Sequence, residues 1–268
     1  MISGPLLRHT WRAHRVRVVV LALGLAAWGF IMPVVYATFG VQMEAILESG
    51  IVPEVFLRLL GADPFSLSGA VALGAVHPVA LGLQLAYPVG FGAAAIAGER
   101  QRGTLEVLLS RPISRRSVFM TLLVALAAFA VLTTAGEVVG TVVASILFDV
   151  ADRLEPASLV FLALNTVVLL VALAAVCLAA SASFDRLSGP IAIGLALVIV
   201  GYVLEVLGTL WPDAAFLQPY SPFHYLRPLE ILGGRAEATD LLVLAAVGIA
   251  ATAFGLWHFP RRDLAAPT

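Results

Sequence analysis

The chain has 268 residues, 60% of them hydrophobic and 12% charged, with a net charge of −1 and a mean hydropathy of +0.99. Soluble domains carry about 25% charged residues, so this composition excludes a soluble domain and indicates a polytopic membrane protein. Its apolar runs are continuous and about 20 residues or longer, the length that crosses a bilayer as a helix, whereas a transmembrane barrel alternates over about ten-residue segments.

Arg8, Arg12, Arg15 and Arg17 precede a first apolar run at about 18–39. This run is longer than the apolar region of a signal peptide and no A-x-A-like site closes it, so it reads as an uncleaved first span. Residues 40–76 follow as an extracytoplasmic interfacial segment. Within it Pro53 suits a first helical turn, Gly61 suits a C-terminal cap, and Phe56, Leu57, Leu59 and Leu60 form an apolar strip, the pattern of a short interfacial helix. The second span, 77–97, contains Gln84 and is expected to kink at Pro88. Residues 98–117, GERQRGTLEVLLSRPISRRS, interrupt the apolar pattern with five arginines and two glutamates.

The third span, 118–147, carries Glu137 and a GEVVG step at Gly136 and Gly140 that permits close helix approach. The fourth, 157–181, carries Asn165 and Cys177, and the fifth, 188–210, carries Glu205 with Gly194, Gly201 and Gly208 at intervals of seven. Residues 211–238 form a second extracytoplasmic interfacial segment, rich in proline and aromatics and suited to short pieces at the membrane boundary. The sixth span is 240–259. With the N-terminus in the cytoplasm, twelve arginines fall in inside segments and four outside, the bias that sets orientation. Both termini are therefore expected to be cytoplasmic, in an all-α polytopic fold whose single transmembrane domain spans residues 1–268. No segment outside the membrane reaches the roughly 50 residues of a domain. The single cysteine excludes an intrachain disulfide, and the five histidines have no ligand spacing, so no metal is expected.

Ionisable residues inside spans are costly and are read as functional by default. Glu137 and Glu205 each lie toward the outer end of their span, which leaves two readings: carboxylates reaching the interface, or a polar lining of a substrate path or gate. The glycines of span five likewise fit either packing within the chain or contact between protomers.

The 98–117 stretch has its own local logic. Gly103 permits a break and Thr104 is expected to cap the next turn. Glu106 suits the positive end of a helix, and Leu105, Leu108 and Leu109 share one face. Arg111 suits the helix end, Pro112 stops it, and Ser114 can cap span three. The result is a roughly two-turn amphipathic helix between spans two and three. Its arginines alone would also fit a loop lying on the membrane surface.

This stretch resembles the signature segment of permease subunits in the ATP-binding-cassette (ABC) type-2 exporter family. The matching positions are Glu99, Arg100, Gly103, Thr104, Leu105, Glu106, Leu108, Leu109, Ser110, Pro112, Ser114 and Arg115, with Arg111 the one departure. SPFHY before the last span and VPEVFLRLLGAD in the first outer segment resemble the family more loosely. The resemblance implies that the stretch is a coupling helix docking on a separate cassette ATPase. The leucines would fill a groove there or pack under the membrane end. Glu99, Arg100 and Glu106 would contact the ATPase or hold the angle of the elbow. It further implies a second permease copy or paralogue, with Gly194, Gly201 and Gly208 as protomer packing, export across the cytoplasmic (inner) membrane of a prokaryote, and a lipid bilayer but no nucleic acid as partner. The chain lacks a phosphate-cradling G-x-x-x-x-G-K-[ST] loop, so no catalytic residue or bound cofactor is expected in it, and ATP and Mg would sit on the partner subunit. A stand-alone secondary transporter or channel is the alternative. Such proteins usually carry several buried acids or repeated halves with unwound helices.

Overall fold

The computed structural model describes residues 2–48 and 66–263, all in helices and their connections, with no strand among them. The interfacial helix expected around residues 53–61 lies outside the described residues.

Helix α1 (Gly4–Glu48) starts before the arginines of the N-terminus and runs for 45 residues. At 1.5 Å per residue it is about 67 Å long, over twice a hydrocarbon core of about 30 Å. The path then enters α2 (Leu67–Val76) and α3 (Pro78–Leu85), which meet at a 51° bend. Ser66 Oγ accepts from Gly69 N at 2.9 Å and starts α2, while His77 Nδ1 accepts from Val79 N and starts α3. Residues 67–76, expected in an outer segment, form a helix with Leu67, Val71, Ala72 and Ala75 buried. Its small residues let it slot against α1, where Trp28 Nε1 donates to Gly74 O at 3.0 Å. Pro88 lies in a π-helical turn, Ala86–Phe91, so the departure from α geometry there is a widened turn and the sharp bend falls earlier, at His77.

Two short helices follow, α4 (Ala97–Gln101) and α5 (Thr104–Leu109), then four more: α6 (Arg115–Leu147), α7 (Pro156–Ser183), α8 (Ser188–Leu210) and, after 3₁₀ turns at Pro212–Tyr220 and Pro222–Tyr225 and a short α9 (Pro228–Leu232), α10 (Ala238–Arg261). Among the described residues five helices are long and apolar enough to cross a bilayer. A sixth crossing results if α2, α3 and their extension to Ala94 form one broken span.

Helices α1 and α6 run side by side at very close range. A Cβ at Gly136 would lie 2.3 Å from Ala22 O, and one at Gly140 1.9 Å from Ala26 O. The α8 glycines also face inward. Gly194 meets Cys177 and Val89, Gly201 meets Pro222 and Phe223, and Gly208 meets Gln218. That strip is thus packed within the chain. The reason is steric: the glycines admit the 3₁₀ turns onto α8 and leave its bulky face, with Ile199, Val200 and Val203, exposed.

The first residues of α1, the last of α10 and residues 98–117 gather at one end of the bundle. Ser3 N donates to Thr121 Oγ1 at 2.9 Å near the start of α6, and the last helix ends beside Arg115. The opposite end is closed by the 3₁₀ turns and α9. Asn165 Nδ2, from the middle of α7, donates to Tyr225 O at 2.8 Å and Leu226 O at 3.1 Å. Arg227 joins Glu230, Asp240 and Glu237 at 3.1, 3.5 and 3.7 Å.

Candidate functional site: an ion-paired elbow

The elbow comprises α4, α5 and the turns around them. It begins where the helix ending at Ala94 releases its backbone. Ser181 Oγ of α7 accepts from Ile96 N at 3.0 Å and Ala97 N at 2.9 Å and donates to Ala93 O at 2.6 Å. One buried hydroxyl thereby satisfies three backbone groups that the helix end would strand.

Gly103 links the two short helices with φ at 73°, a left-handed conformation that glycine adopts without steric penalty. Gly103, not Thr104, occupies the cap position of α5. Thr104 is already in the helix, and its hydroxyl reaches back to donate to Glu99 O at 3.0 Å and to the Glu99 carboxylate. Arg102 pairs with the same carboxylate. Partial burial raises the Glu99 pKa, but the hydrogen bonds from Thr104 and Arg102 outweigh it and hold the group below its ordinary value. Glu99 is therefore a clasp inside the elbow.

Three further side chains tie the elbow to distant helices. Arg100 Nη1 is 2.7 Å from Asp185 Oδ1, and Arg262 pairs with the same carboxylate. Arg262 also donates to Ala182 O and Phe184 O at 3.1 and 3.0 Å. Gln101 Oε1 accepts from Leu187 N at 3.0 Å. Arg115 Nη1 donates to Arg262 O at 2.6 Å, and its guanidinium lies 5.9 Å from the Phe259 ring centre. Asp185 and Arg262 thus join the α4 elbow, the α7–α8 turn and the end of α10.

The leucine face of α5 turns inward. Leu105 is 2% exposed and packs with Ile96, Phe119 and Phe259, and Leu108 and Leu109 lean on the same cluster. Leu105 is thereby closed off from solvent, while Leu108 and Leu109 are half-buried. The outward face carries Glu106, Val107, Ser110, Arg111 and Pro112. Val107 is an apolar side chain 65% exposed at the middle of that face. Ser114 Oγ accepts from Ser117 N at 3.1 Å and starts α6.

The two span acids fall in different places. Glu137 turns into the protein and accepts from Gln84 Nε2. Beside it is a cavity of about 30 Å³ lined by Gly29, Thr134, Thr141 and Thr166, the size of a single water. Glu205 belongs to the closed end: Gln218 Nε2 donates to its Oε1 at 3.2 Å, and His224 Nδ1 is 3.6 Å from its Oε2. The structure brings neither acid to the elbow nor to the other. Among the described residues no three His, Cys, Asp or Glu side chains cluster as metal ligands would.

Sequence reasoning missed Ser181, Asp185, Gln101, Arg262 and Val107. Only the last had a local signal, as the apolar residue off the leucine face of α5.

Five helices among the described residues that are long and apolar enough to cross a bilayer define a multi-pass membrane protein. Residues 17–264 match the family model described as ABC-2 family transporter protein, and the chain belongs to that family. It is accordingly the membrane permease of an ABC-type transporter, a transport component of a family that works with an ABC ATPase. Comparison with curated proteins gives no match.

Proposed function

We propose that this permease is the membrane-spanning subunit of an ABC exporter, driven by a separate ATPase subunit that docks on the outward face of α5. The elbow end is then cytoplasmic, and two permease copies or paralogues meet in the inner membrane of a prokaryote. ATP and Mg bind on the partner. The observation that carries the reading is the split of α5 into two faces. Its leucines are locked into the bundle while Glu106, Val107 and Arg111 are left exposed. A pushed α5 would move α6 and α10 with it through Phe119 and Phe259. The arginine count supports the orientation, since twelve of the sixteen fall in segments on the elbow side.

Co-purification tests it. Glu106→Arg and Val107→Asp should each abolish capture of the cassette ATPase while the permease still inserts and elutes as a single species. Unchanged capture by both variants would refute docking on this face. A transport-competent preparation free of any ATPase would favour the stand-alone transporter instead.

A further inference from the structure

We propose that the cleft between α1 and the π-helical turn of span two binds a phosphate-bearing anionic amphiphile, its head between Arg17 and Arg102 and its apolar part along Gly90 and Ala94. The cleft measures about 430 Å³ and is lined by Arg17, Leu21, Gly90, Phe91, Arg102 and the carboxylate-bearing Glu99 among others. That volume lies in the range of small-molecule sites, roughly 300–1,000 Å³.

Two observations point to a ligand. First, the floor is built open. Ala86 and Gly90 are exposed, and a Cβ at Gly90 would meet nothing within 4 Å. The π-helical turn widens the helix at this point, a distortion found often at functional sites.

Second, the rim is cationic with donors to spare. Arg17 is exposed and makes no ion pair among the described residues. Arg102 engages Glu99 through Nη2, and a guanidinium carries five donors in a planar fork. Glu99 is already answered by Arg102 and Thr104, so the charge of Arg17 is the one left over. Two guanidinium forks suit phosphate oxygens better than they suit a point charge.

The mixture of chemistry sets the ligand class. Arg17 marks the start of the apolar run, the depth at which arginine reaches lipid head groups. Leu21, Ala86, Gly90 and Phe91 continue the cleft along the apolar run. A free phosphate would use the rim and leave the floor bare. The arginine that holds the head also clasps Glu99, so a bound ligand touches the elbow directly. That the ligand is cargo rests on the exporter reading, whereas binding does not.

The test uses the full-length permease in phosphatidylcholine nanodiscs without any ATPase, titrated by calorimetry with dihexanoyl phosphatidic acid or with inorganic phosphate. The lipid should bind saturably. Arg17→Gln and Arg102→Gln should each weaken it at least about tenfold, the loss of one charge-assisted hydrogen bond. Gly90→Leu, or Ala94→Leu should the first fail to fold, should weaken it similarly by filling the floor. Arg12→Gln, on an exposed arginine outside the cleft, should change nothing. Absence of saturable binding, equal affinity for inorganic phosphate, or equal loss in Arg12→Gln would each overturn the proposal. Those results leave ATPase docking untouched, and a failure of docking would leave lipid binding standing.

Discussion

The close contact of α1 with α6 makes Gly140→Ala a severe substitution for a single methyl group. The new Cβ would sit 1.9 Å from Ala26 O, 2.7 Å from its carbonyl carbon and 2.9 Å from its Cα. All three are backbone atoms, so no side chain can swing aside. Ordinary contact begins near 3.4 Å, and the helices must part locally by the difference, about 1.5 Å. Overpacking of this kind costs about 1–3 kcal/mol. The separation also stretches the 3.3 Å bond from Thr141 Oγ1 to Gly29 O, worth about 1 kcal/mol. The expected loss is about 2–4 kcal/mol, measured by reversible unfolding in mixed detergent micelles. Gly82→Ala is the control: no atom lies within 4 Å of its Cβ, and removing a helical glycine there should be neutral or stabilise by about 0.5–1 kcal/mol. If Gly140→Ala unfolds like Gly82→Ala, the two helices are not held at this distance and the packing argument fails.

Asp185→Asn should leave Arg100 and Arg262, whose side chains are 14% and 15% exposed, facing each other without their shared carboxylate. Asp185 itself is largely exposed, so the loss should be roughly 1 kcal/mol, seen as about fivefold faster amide exchange across residues 97–109. The Glu99 carboxyl is held below its ordinary value. Its stabilisation is present above the unfolded value of about 4.3 and is lost as the pH falls through the folded value. Protection of the elbow amides, taken relative to the intrinsic exchange rate at each pH, should therefore fall as the pH drops below the unfolded value, and Glu99→Gln should remove that acid limb. Asn165→Ala should strand the Tyr225 and Leu226 carbonyls at a cost of about 1–3 kcal/mol, with protease cleavage within residues 211–238 as the readout.

The helical membrane class was legible because apolar run length is a local property, and runs of about 20 residues leave few alternatives. The 51° bend between α2 and α3 was harder to see. His77 and Pro78 mark a helix start, and from sequence that reads as the edge of a span. The apolar stretch Leu67–Val76 before it has the composition of an outer segment's greasy end as much as of a buried helix. What decides between them is its contact with Trp28 of α1, which no local pattern encodes.

Direction was the other illegible quantity. The spacing of Leu105, Leu108 and Leu109 defines a face, and Gly194, Gly201 and Gly208 define a strip, but neither spacing says what lies opposite. The leucines found Phe119 and Phe259, and the glycines found Cys177, Phe223 and Gln218. The charges followed the same rule. Arg100 and Arg115 carry the family resemblance, yet their partners are Asp185 and the end of α10. A motif whose basic residues face inward works as an anchor. Its exposed surface then falls to residues between the motif's apolar positions, Glu106 and Val107 above all, and it is at these that a docking partner must be sought.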